Sequence, residues 1–303
     1  MMNWWVRPLV RVIAAFSLPF LVPLAIALVL WVLPGDPATN LCPEALCSED
    51  GRADLVEKWH LQSATSFYFN WLTHAFQGDF GVGIAYQQGE LVSKHLWESL
   101  PNTALVVLIA LIPILIGTGL TAAGRMSQRL DWVWQMLGAP PAVILSLFAI
   151  AAIVISFGMQ DVWFWRILAA GLILGVADGV LAASIVGTRS TFESEMKQRY
   201  VGIALLRGES VLGNALPNVL PGLVGQFRAR FLHILSGTVI VEVVLQVNGL
   251  GDLLFRATLL QDFFVVLAAA WGYAIISAVI LLFQGLLEVM VAIHVRRAPK
   301  VAA

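Results

Sequence analysis

The amino-acid sequence predicts an all-α, polytopic membrane protein with six transmembrane helices. Of its 303 residues, 59% are hydrophobic and only 12% are charged, and the mean hydropathy is +0.84. Soluble domains carry about 25% charged residues, so this chain has too few polar groups to cover a water-exposed surface of its size. Lipid must therefore solvate most of it. The net charge of −1 leaves no basic excess to neutralise phosphates, which argues against nucleic-acid binding.

Six apolar stretches reach or exceed the roughly 20 residues that a spanning helix needs. They lie at residues 9–33, 101–123, 132–158, 163–187, 227–247 and 263–293. The first follows two arginines, as a signal peptide would, but its apolar run is too long and no small-x-small cleavage site follows it. The sequence therefore favours a membrane anchor, with a cleaved signal peptide as the alternative.

Lysine and arginine are unevenly distributed among the segments between these spans. With the N-terminus inside, thirteen of the 18 basic residues lie on the cytoplasmic side: Arg7, Arg11, Arg125, Arg129, Arg189, Lys197, Arg199, Arg207, Arg228, Arg230, Arg296, Arg297 and Lys300. The outside segments keep Arg52, Lys58, Lys94, Arg166 and Arg256. The positive-inside rule thus predicts that both termini lie in the cytoplasm.

A long polar segment, residues 34–100, is predicted to lie outside. It contains an aromatic stretch at 67–71, which is typical of a helix lying at the membrane surface. Cys42 and Cys47 also lie here, and an oxidising exterior favours a disulfide between them. A metal site is disfavoured because too few other ligands lie nearby in sequence.

A second polar segment, residues 188–226, is predicted to lie inside and is far longer than the about 2–8 residues usual between helices. A mixed-charge helical stretch ends at Gly208, where a glycine can adopt the left-handed conformation that stops a helix. A second short helix follows, before Pro217 and Pro221 lead back to the membrane. Two short helices at an angle would form a docking surface for a partner; the alternative is a solvated loop without one.

Several motifs resemble those of a known family. Tyr200-Val201, Ala204, Arg207-Gly208 and Asn214-Ala215-Leu216 look like the "EAA" loop of binding-protein-dependent ABC importer permeases. The rest is similar to the first permease subunit of the dipeptide, oligopeptide and nickel importer branch. The matching motifs run from end to end: Leu33-Pro34-Gly35-Asp36-Pro37-Ala38, Gly78-Asp79-Phe80-Gly81, Leu100-Pro101-Asn102-Thr103, Val241-Glu242-Val243-Val244, Asn248 to Leu254, and Asp262. Each match alone is weak, but their order and spacing are specific.

The resemblance implies a MetI-like type I ABC importer permease of the bacterial inner membrane, which is a transport subunit for peptides or similar small solutes and not an enzyme. It implies three kinds of partner, namely a second homologous permease, two cytoplasmic ATPase subunits and a periplasmic solute-binding protein, and no cofactor. It assigns ATPase coupling to Tyr200, Ala204, Arg207, Gly208, Asn214, Leu216 and Pro217. It divides the chain into an N-terminal helix with a periplasmic segment (1–94), a permease domain (95–297) containing the coupling loop 188–226, and a cytoplasmic tail (298–303).

The sequence departs from the family pattern at the coupling loop. Arg199 stands where the family has an acid, and Leu206 stands where it has an alanine. The stretch from Gly208 to Asn214 is about four residues shorter, or about one helical turn. The outside segment around Gln160-Asp161 is also short. These departures keep open a second function, a non-transporting scaffold or degenerate permease that binds an ATPase-like partner.

Pathway or gate candidates come from the spans and their outer ends. Asp178 lies in mid-span, where a carboxylate is costly unless it faces water or a partner. A hydrogen-bonded structural role is the alternative for it. Glu242 in the fifth span is a second candidate, with Gly249 and Gly251 in the turn that leads to a short re-entrant or surface helix. An ion-coupled secondary transporter is a third interpretation, weakened because only Asp178 is a good intramembrane ion site.

The remaining polar residues give no catalytic set. Glu288 is expected to snorkel or to pair with Arg296 or Arg297. The histidines His95, His233 and His294 are isolated in sequence, and no serine or cysteine lies in a nucleophile motif. No metal site is predicted either.

Overall fold

The computed structural model describes residues 6–158 and 162–297, and these fold into helices joined by turns. In chain order the helices are α1 (Val6–Val32), α2 (Pro37–Leu41), α3 (Glu49–Trp59), α4 (Ala64–Phe76), α5 (Val92–Ala122), α6 (Asp131–Gly138), α7 (Ala142–Phe157), α8 (Trp163–Val176), α9 (Val180–Met196), α10 (Arg199–Leu206), α11 (Val211–Leu245), α12 (Leu250–Leu259) and α13 (Phe263–Arg297). The predicted segment at Gln160-Asp161 and the tail 298–303 lie outside the described residues, as do the side chains of Arg296 and Arg297.

Within the described ranges, three helices are long and apolar enough to cross a membrane unbroken: Val12–Val32, Val92–Ala122 and Phe263–Met290. Three bent pairs meet the same criteria together: Gln128–Gly138 with Ala142–Phe157, Trp163–Val176 with Val180–Met196, and Gly213–Leu245 with Leu250–Leu259. Counting each bent pair as one span gives up to six spans. The predicted all-α, polytopic fold is confirmed.

The third and fourth predicted spans are not continuous helices, and this corrects the sequence analysis. Helices α6 and α7 meet at 70°. Pro140 and Pro141 lie between them, and proline has no N–H to continue a helical hydrogen-bond ladder. Helices α8 and α9 are bent by 42°. Asp178 and Gly179 lie at that bend with φ of 52° and 73°, a left-handed conformation that ends the first helix.

Two other spans begin earlier than predicted. Helix α11 runs unbroken from Val211, so the predicted short helix before Pro217 and the span at 227–247 are one helix. Both Pro217 and Pro221 lie in its early turns, and they do not interrupt it. Helix α5 begins at Val92, about two turns before the predicted start at Pro101.

The chain divides into two units. The first comprises the described residues within Met1–Ala14, Leu105–Leu245 and Val279–Ala303. In this unit α8 packs closely on α5 through two glycines. A Cβ at Gly171 would lie 2.5 Å from the Ile109 Cβ, and a Cβ at Gly175 would lie 2.4 Å from the Ala110 carbonyl oxygen. Small residues let helix backbones approach closely where lipid provides no hydrophobic driving force.

The second unit comprises Ala15–Ala104 and Gln246–Ala278, and its core is aromatic. The ring centroids of Trp59 and Phe264 lie 5.0 Å apart. The stretch at 67–71, predicted to lie at the membrane surface, belongs to α4. Phe67, Tyr68 and Trp71 in this stretch are buried in the core, so these rings stabilise the unit instead of facing lipid.

The two cysteines lie in this second unit, between α2 and α3. Cys42 and Cys47 form a disulfide, with Cα atoms 5.8 Å apart. The pairing closes a short loop before Ser48, whose hydroxyl accepts from the Gly51 N–H at 3.1 Å and caps α3.

Candidate functional site

The seven coupling residues predicted from sequence lie on α10, in the turn that follows it and in the first turns of α11. We call this segment the coupling hairpin (199–217). Helix α10 ends at Leu206 with Arg207 as its C-cap, and Gly208 follows with φ of 72°. The Glu209 N–H donates to the Ala204 carbonyl oxygen at 3.0 Å. Such a closure requires a left-handed residue, which agrees with the helix stop predicted at Gly208.

One face of the coupling hairpin packs against its own chain. Val201 and Ala204 are buried, as is Ala215 at the start of α11. The Tyr200 hydroxyl donates to the Glu195 carboxylate of α9 and accepts from Asn218 Nδ2 of α11 at 2.7 Å. Burial and the Glu195 hydrogen bond raise the pKa of Tyr200, so its phenol stays protonated and can donate.

The outward face of the coupling hairpin is apolar and open. Ile203 is 50% exposed, Leu205 is 64% exposed, and Leu206 at the tip is 89% exposed. A Cβ added at Gly208 would meet no atom within 4 Å. Such exposed apolar groups mark an interaction surface when they are contiguous.

The turn beneath this tip is held by local hydrogen bonds. Asn214 Nδ2 donates to the Ser210 carbonyl oxygen at 3.0 Å and to Glu209 Oε2 at 3.3 Å. Leu216 is 39% exposed on the next turn, and Pro217 follows inside α11. The structure therefore brings all seven predicted residues together in the coupling hairpin.

A second feature of this unit is the break junction, where the α6–α7 break (139–141) meets the α8–α9 break (177–179). The Gly179 N–H donates to the Gly138 carbonyl oxygen at 2.7 Å, and the Asp178 N–H donates to the Pro140 carbonyl oxygen at 3.4 Å. Asp178 Oδ1 accepts from the Ala142 N–H at 3.2 Å, at the first residue of α7. Backbone groups freed at each break thus find partners at the other, as a chain surrounded by lipid requires.

The Asp178 carboxylate is only partly enclosed. Its side chain is 35% exposed and lines an open cavity of about 600 Å³ together with Gln135 and Ala182. His233 Nε2 of α11 lies 3.7 Å from Asp178 Oδ2. The structure therefore combines at one residue the two roles that the sequence left open, a hydrogen-bonded cap and a cavity-lining carboxylate.

Two of the histidines that are isolated in sequence have neighbours in the structure. His233 faces Asp178, as above. In the second unit, the His95 ring lies 5.2 Å from the Tyr86 ring and its Nε2 lies 3.8 Å from Glu90 Oε2. The His233–Asp178 contact joins residues far apart in sequence, so spacing could not predict it, whereas Glu90 and Tyr86 lie close to His95 in sequence. The His294 side chain lies outside the described residues.

The remaining candidates are Glu242, Gly249 and Gly251. Glu242, in α11 of the first unit, is fully buried. In the second unit, Gly249 precedes α12 and Gly251 is buried in its first turn. The Leu250 N–H donates to Thr103 Oγ1 at 2.7 Å. The Leu-Pro-Asn-Thr motif therefore lies inside α5, where its threonine caps α12.

Asp262 has a structural role that the sequence did not reveal. This fully buried carboxylate accepts three consecutive backbone N–H groups through Oδ2, from Ile84 at 2.7 Å and from Ala85 and Tyr86 at 2.9 Å each. Its Oδ1 accepts from the Val265 N–H at 3.4 Å, in the first turn of α13. We call this arrangement the Asp262 clamp. The partners are 176 to 178 residues apart in sequence, and local patterns carry no signal at that distance.

Comparison with known proteins agrees with the order of the motifs. The model of the family described as binding-protein-dependent transport system inner membrane component matches residues 1–297. A glutathione transport system permease protein, GsiC of Shigella flexneri serotype 5b, is 27% identical over 307 residues, covering 94% of this chain and 92% of the relative. GsiC of Escherichia coli K12 has the same identity and coverage. An oligopeptide transport system permease protein, AppB of Bacillus subtilis, is 26% identical over 303 residues, covering 89% and 92%.

Proposed function

This chain belongs to the family of binding-protein-dependent transport system inner membrane components, and from that premise we propose that it forms the translocation path for peptides or similar small solutes. It is a multi-pass permease subunit of an ABC importer, a family that implies ATPase and binding-protein components. We propose two cytoplasmic ATPase subunits, a periplasmic binding protein and a second homologous permease as its partners. Both termini would then lie in the cytoplasm, with a permease domain at 95–297 between an N-terminal segment (1–94) and a tail (298–303).

The solute class is supported by the names of the relatives, one for glutathione and one for oligopeptides. Uptake of labelled glutathione, a dipeptide and a longer peptide by cells expressing the complete importer tests it. Uptake of any one of these solutes supports a peptide path. Transport of none of them removes the assignment of solute class while leaving the permease assignment intact.

The coupling hairpin is the observation that carries the mechanism. Its inner face is fixed by Tyr200 and buried small residues, while its outer face exposes leucines to a partner. Helix α11 continues from the hairpin without a break and reaches His233 about 33 Å further along. A displacement imposed on the hairpin by ATPase closure is therefore carried along one helix toward the break junction, where α6–α7 and α8–α9 can flex.

Leu206→Asp tests docking without disturbing the core, because Leu206 is 89% exposed. We expect the tagged variant to enter the membrane normally, to lose the ATPase on affinity purification and to lose uptake. Leu46→Asp is the matched control, since Leu46 is 41% exposed in a loop of the second unit. Equal ATPase recovery from both variants would contradict the docking role.

Gly208 provides a second test, which compares a small side chain that tolerates the left-handed backbone with a large one that does not. Its φ of 72° is left-handed, a conformation that asparagine tolerates and tryptophan does not. Gly208→Trp should abolish transport with membrane insertion intact, because its ring would enter the open space where a partner docks. Gly208→Asn should keep most of the transport. Normal uptake by the Trp variant would contradict docking at Gly208. Equal loss of uptake in both variants would mean that any side chain here disturbs the backbone of the hairpin, whatever its bulk.

The energy source separates the alternative functions. Uptake that stops on ATP depletion and survives an uncoupler supports the importer, whereas the reverse supports an ion-coupled carrier. Arg199, in place of the family's acid, begins α10 and is exposed, so the scaffold alternative keeps a specific observation in its favour. ATPase binding without any uptake would favour that scaffold.

A further inference from the structure

A partly open, mainly apolar cavity lies in the first unit, between α5, α9, α11 and α13. Its volume is about 260 Å³, and it shares no lining residue with the cavity at the break junction. Ile114 of α5, Leu223 and Phe227 of α11 and Ile280 of α13 supply most of its walls. Neither the coupling hairpin nor the break junction uses this space.

Seven of the described side chains that line the cavity are polar, and two arginines and a glutamine are among them. Arg228 and Arg230 line the cavity, and Arg230 Nε is enclosed without a hydrogen-bond acceptor. Among the described residues, no carboxylate forms an ion pair with either arginine. Gln284 is only 5% exposed; its Nε2 donates to Glu288 Oε1 at 3.1 Å, while its Oε1 has no donor. The cavity thus combines apolar walls with uncompensated positive charge and a free acceptor.

Position along α11 shows which arginine faces the space. Residues three, four and seven apart share a helix face, so Arg230 lies on the face of Leu223 and Phe227, with Arg228 at its edge. Arg230 is partly buried and its Nε is enclosed, so an anion in the cavity would offset the desolvation of that cation. A small inorganic anion would leave the apolar walls unused.

The cavity is somewhat smaller than most small-molecule sites. Small-molecule sites usually measure roughly 300–1,000 Å³ and place several polar groups around the ligand. In the proposed topology all four lining segments lie toward the cytoplasmic ends of their helices. Basic pockets between spanning helices on that side are suited to the headgroups of anionic lipids.

We propose that this cavity binds an anionic phospholipid of the inner leaflet. The phosphate lies at Arg230 and Arg228, and the first part of one acyl chain lies against Leu223, Phe227 and Ile280. A headgroup hydroxyl, as in phosphatidylglycerol, donates to Gln284 Oε1. The site shares no residue with the coupling hairpin or with the cavity at the break junction.

Lipid retention tests the headgroup contact. The full-length chain, purified with its partner subunits in mild detergent, is mixed with dioleoyl phosphatidylglycerol or dioleoyl phosphatidylcholine, and bound lipid is counted by native mass spectrometry. We expect wild type to retain phosphatidylglycerol selectively, and Arg230→Gln to lower that retention about five-fold, the effect of one basic group near an anionic lipid. Arg129→Gln is the control, because Arg129 is exposed and does not line the cavity. Equal retention of the two lipids, or equal loss in the two variants, overturns the proposal.

Two further measurements cover the acyl chain and the source of the phosphate. Leu223→Trp fills the cavity and should reduce phosphatidylglycerol retention, while Ile240→Trp, at an exposed position of the same helix away from the lining, should not. For unmutated protein, phosphatidylglycerol should raise the thermal midpoint and soluble glycerol phosphate should not. Protection by glycerol phosphate, or full retention after Leu223→Trp, means that no lipid chain occupies the cavity and overturns the proposal. If phosphatidylglycerol is retained only by chain that has been separated from its second permease, the cavity is occupied by that partner in the complex. This result overturns the proposal as well.

Discussion

Asp262 and Asp178 both hold backbone N–H groups of irregular segments, yet their surroundings differ. The Asp262 clamp is fully buried and accepts three N–H groups within 2.9 Å. Asp178 is partly exposed and accepts one N–H at 3.2 Å, at a junction whose other bonds measure 2.7 and 3.4 Å. A buried carboxylate with several short hydrogen bonds fixes one conformation, because every rearrangement leaves a polar group unpaired.

The comparison indicates a division of labour within the chain. The second unit holds its loop at 82–91 through the Asp262 clamp, beside an aromatic core. The first unit contains the break junction, where few hydrogen bonds must change for the helices on either side to move. Low local stability is expected of the elements that move during a functional cycle. The predictions below test this division, beginning with the largest expected effect.

Asp262→Ala should cause the largest loss of stability. Removing the carboxylate leaves three enclosed N–H groups without an acceptor, and we expect a cost of about 4 kcal/mol. The measurements are the thermal midpoint in detergent and proteolysis of the loop at 82–91. Asp54→Ala, at an exposed acid of α3, is the control. A midpoint within a degree of the control value would show that the clamp does not fix the loop.

Gly138→Ala should have the next largest effect. A Cβ at this position would lie 2.9 Å from the Gly179 Cα, so the two breaks must separate. Overpacking of this kind costs about 1–3 kcal/mol. Gly119→Ala in α5 is a matched control, because its Cβ would meet nothing within 4 Å and alanine favours a helix. If both variants unfold at the wild-type midpoint, the junction is looser than the contact between the two glycines indicates.

The contrast between these two sites also explains what sequence reasoning achieved. Hydropathy and the positions of charges predicted the helical membrane fold, because lipid allows few alternatives for an apolar chain. The stop at Gly208 was predictable because it depends on local backbone conformation. Pro140 and Pro141 indicate a bend in the third span, but whether a proline bends a helix or ends it depends on which distant groups accept or donate to the freed backbone. The Asp262 clamp and the Asp178–His233 contact depend on residues far apart in sequence, and no local pattern encodes them.

Asp178→Ala should destabilise the protein less than either preceding substitution. It removes one helix cap, which is worth about 1 kcal/mol, from a partly exposed site. Asp178→Asn keeps an oxygen that can accept from the Ala142 N–H and should restore most of the midpoint. Uptake, measured alongside, should fall in the Ala variant because α7 loses its anchor at the junction. Equal midpoints for wild type and the Ala variant would show that the cap does not hold α7, which would leave Asp178 as a cavity-lining residue only.

Tyr200→Phe should have the smallest effect, about 0.5–1 kcal/mol, because it removes one hydroxyl between Glu195 and Asn218 at the protein surface. The pKa of Tyr200 is raised above its ordinary value of 10.0, so the folded protein holds this proton more tightly than the unfolded chain. The stability that the hydroxyl provides is therefore complete below pH 10 and is lost only as the pH rises through the folded pKa. The midpoint difference from wild type should be the same at pH 7 and pH 9. Amide hydrogen exchange should quicken in 198–208 for Tyr200→Phe and not for Tyr68→Phe, which loses its hydroxyl bond to the Phe20 carbonyl in the second unit. Unchanged exchange in α10 would mean that the buried apolar face alone holds the coupling hairpin, and the movable part of the first unit would then end at the break junction.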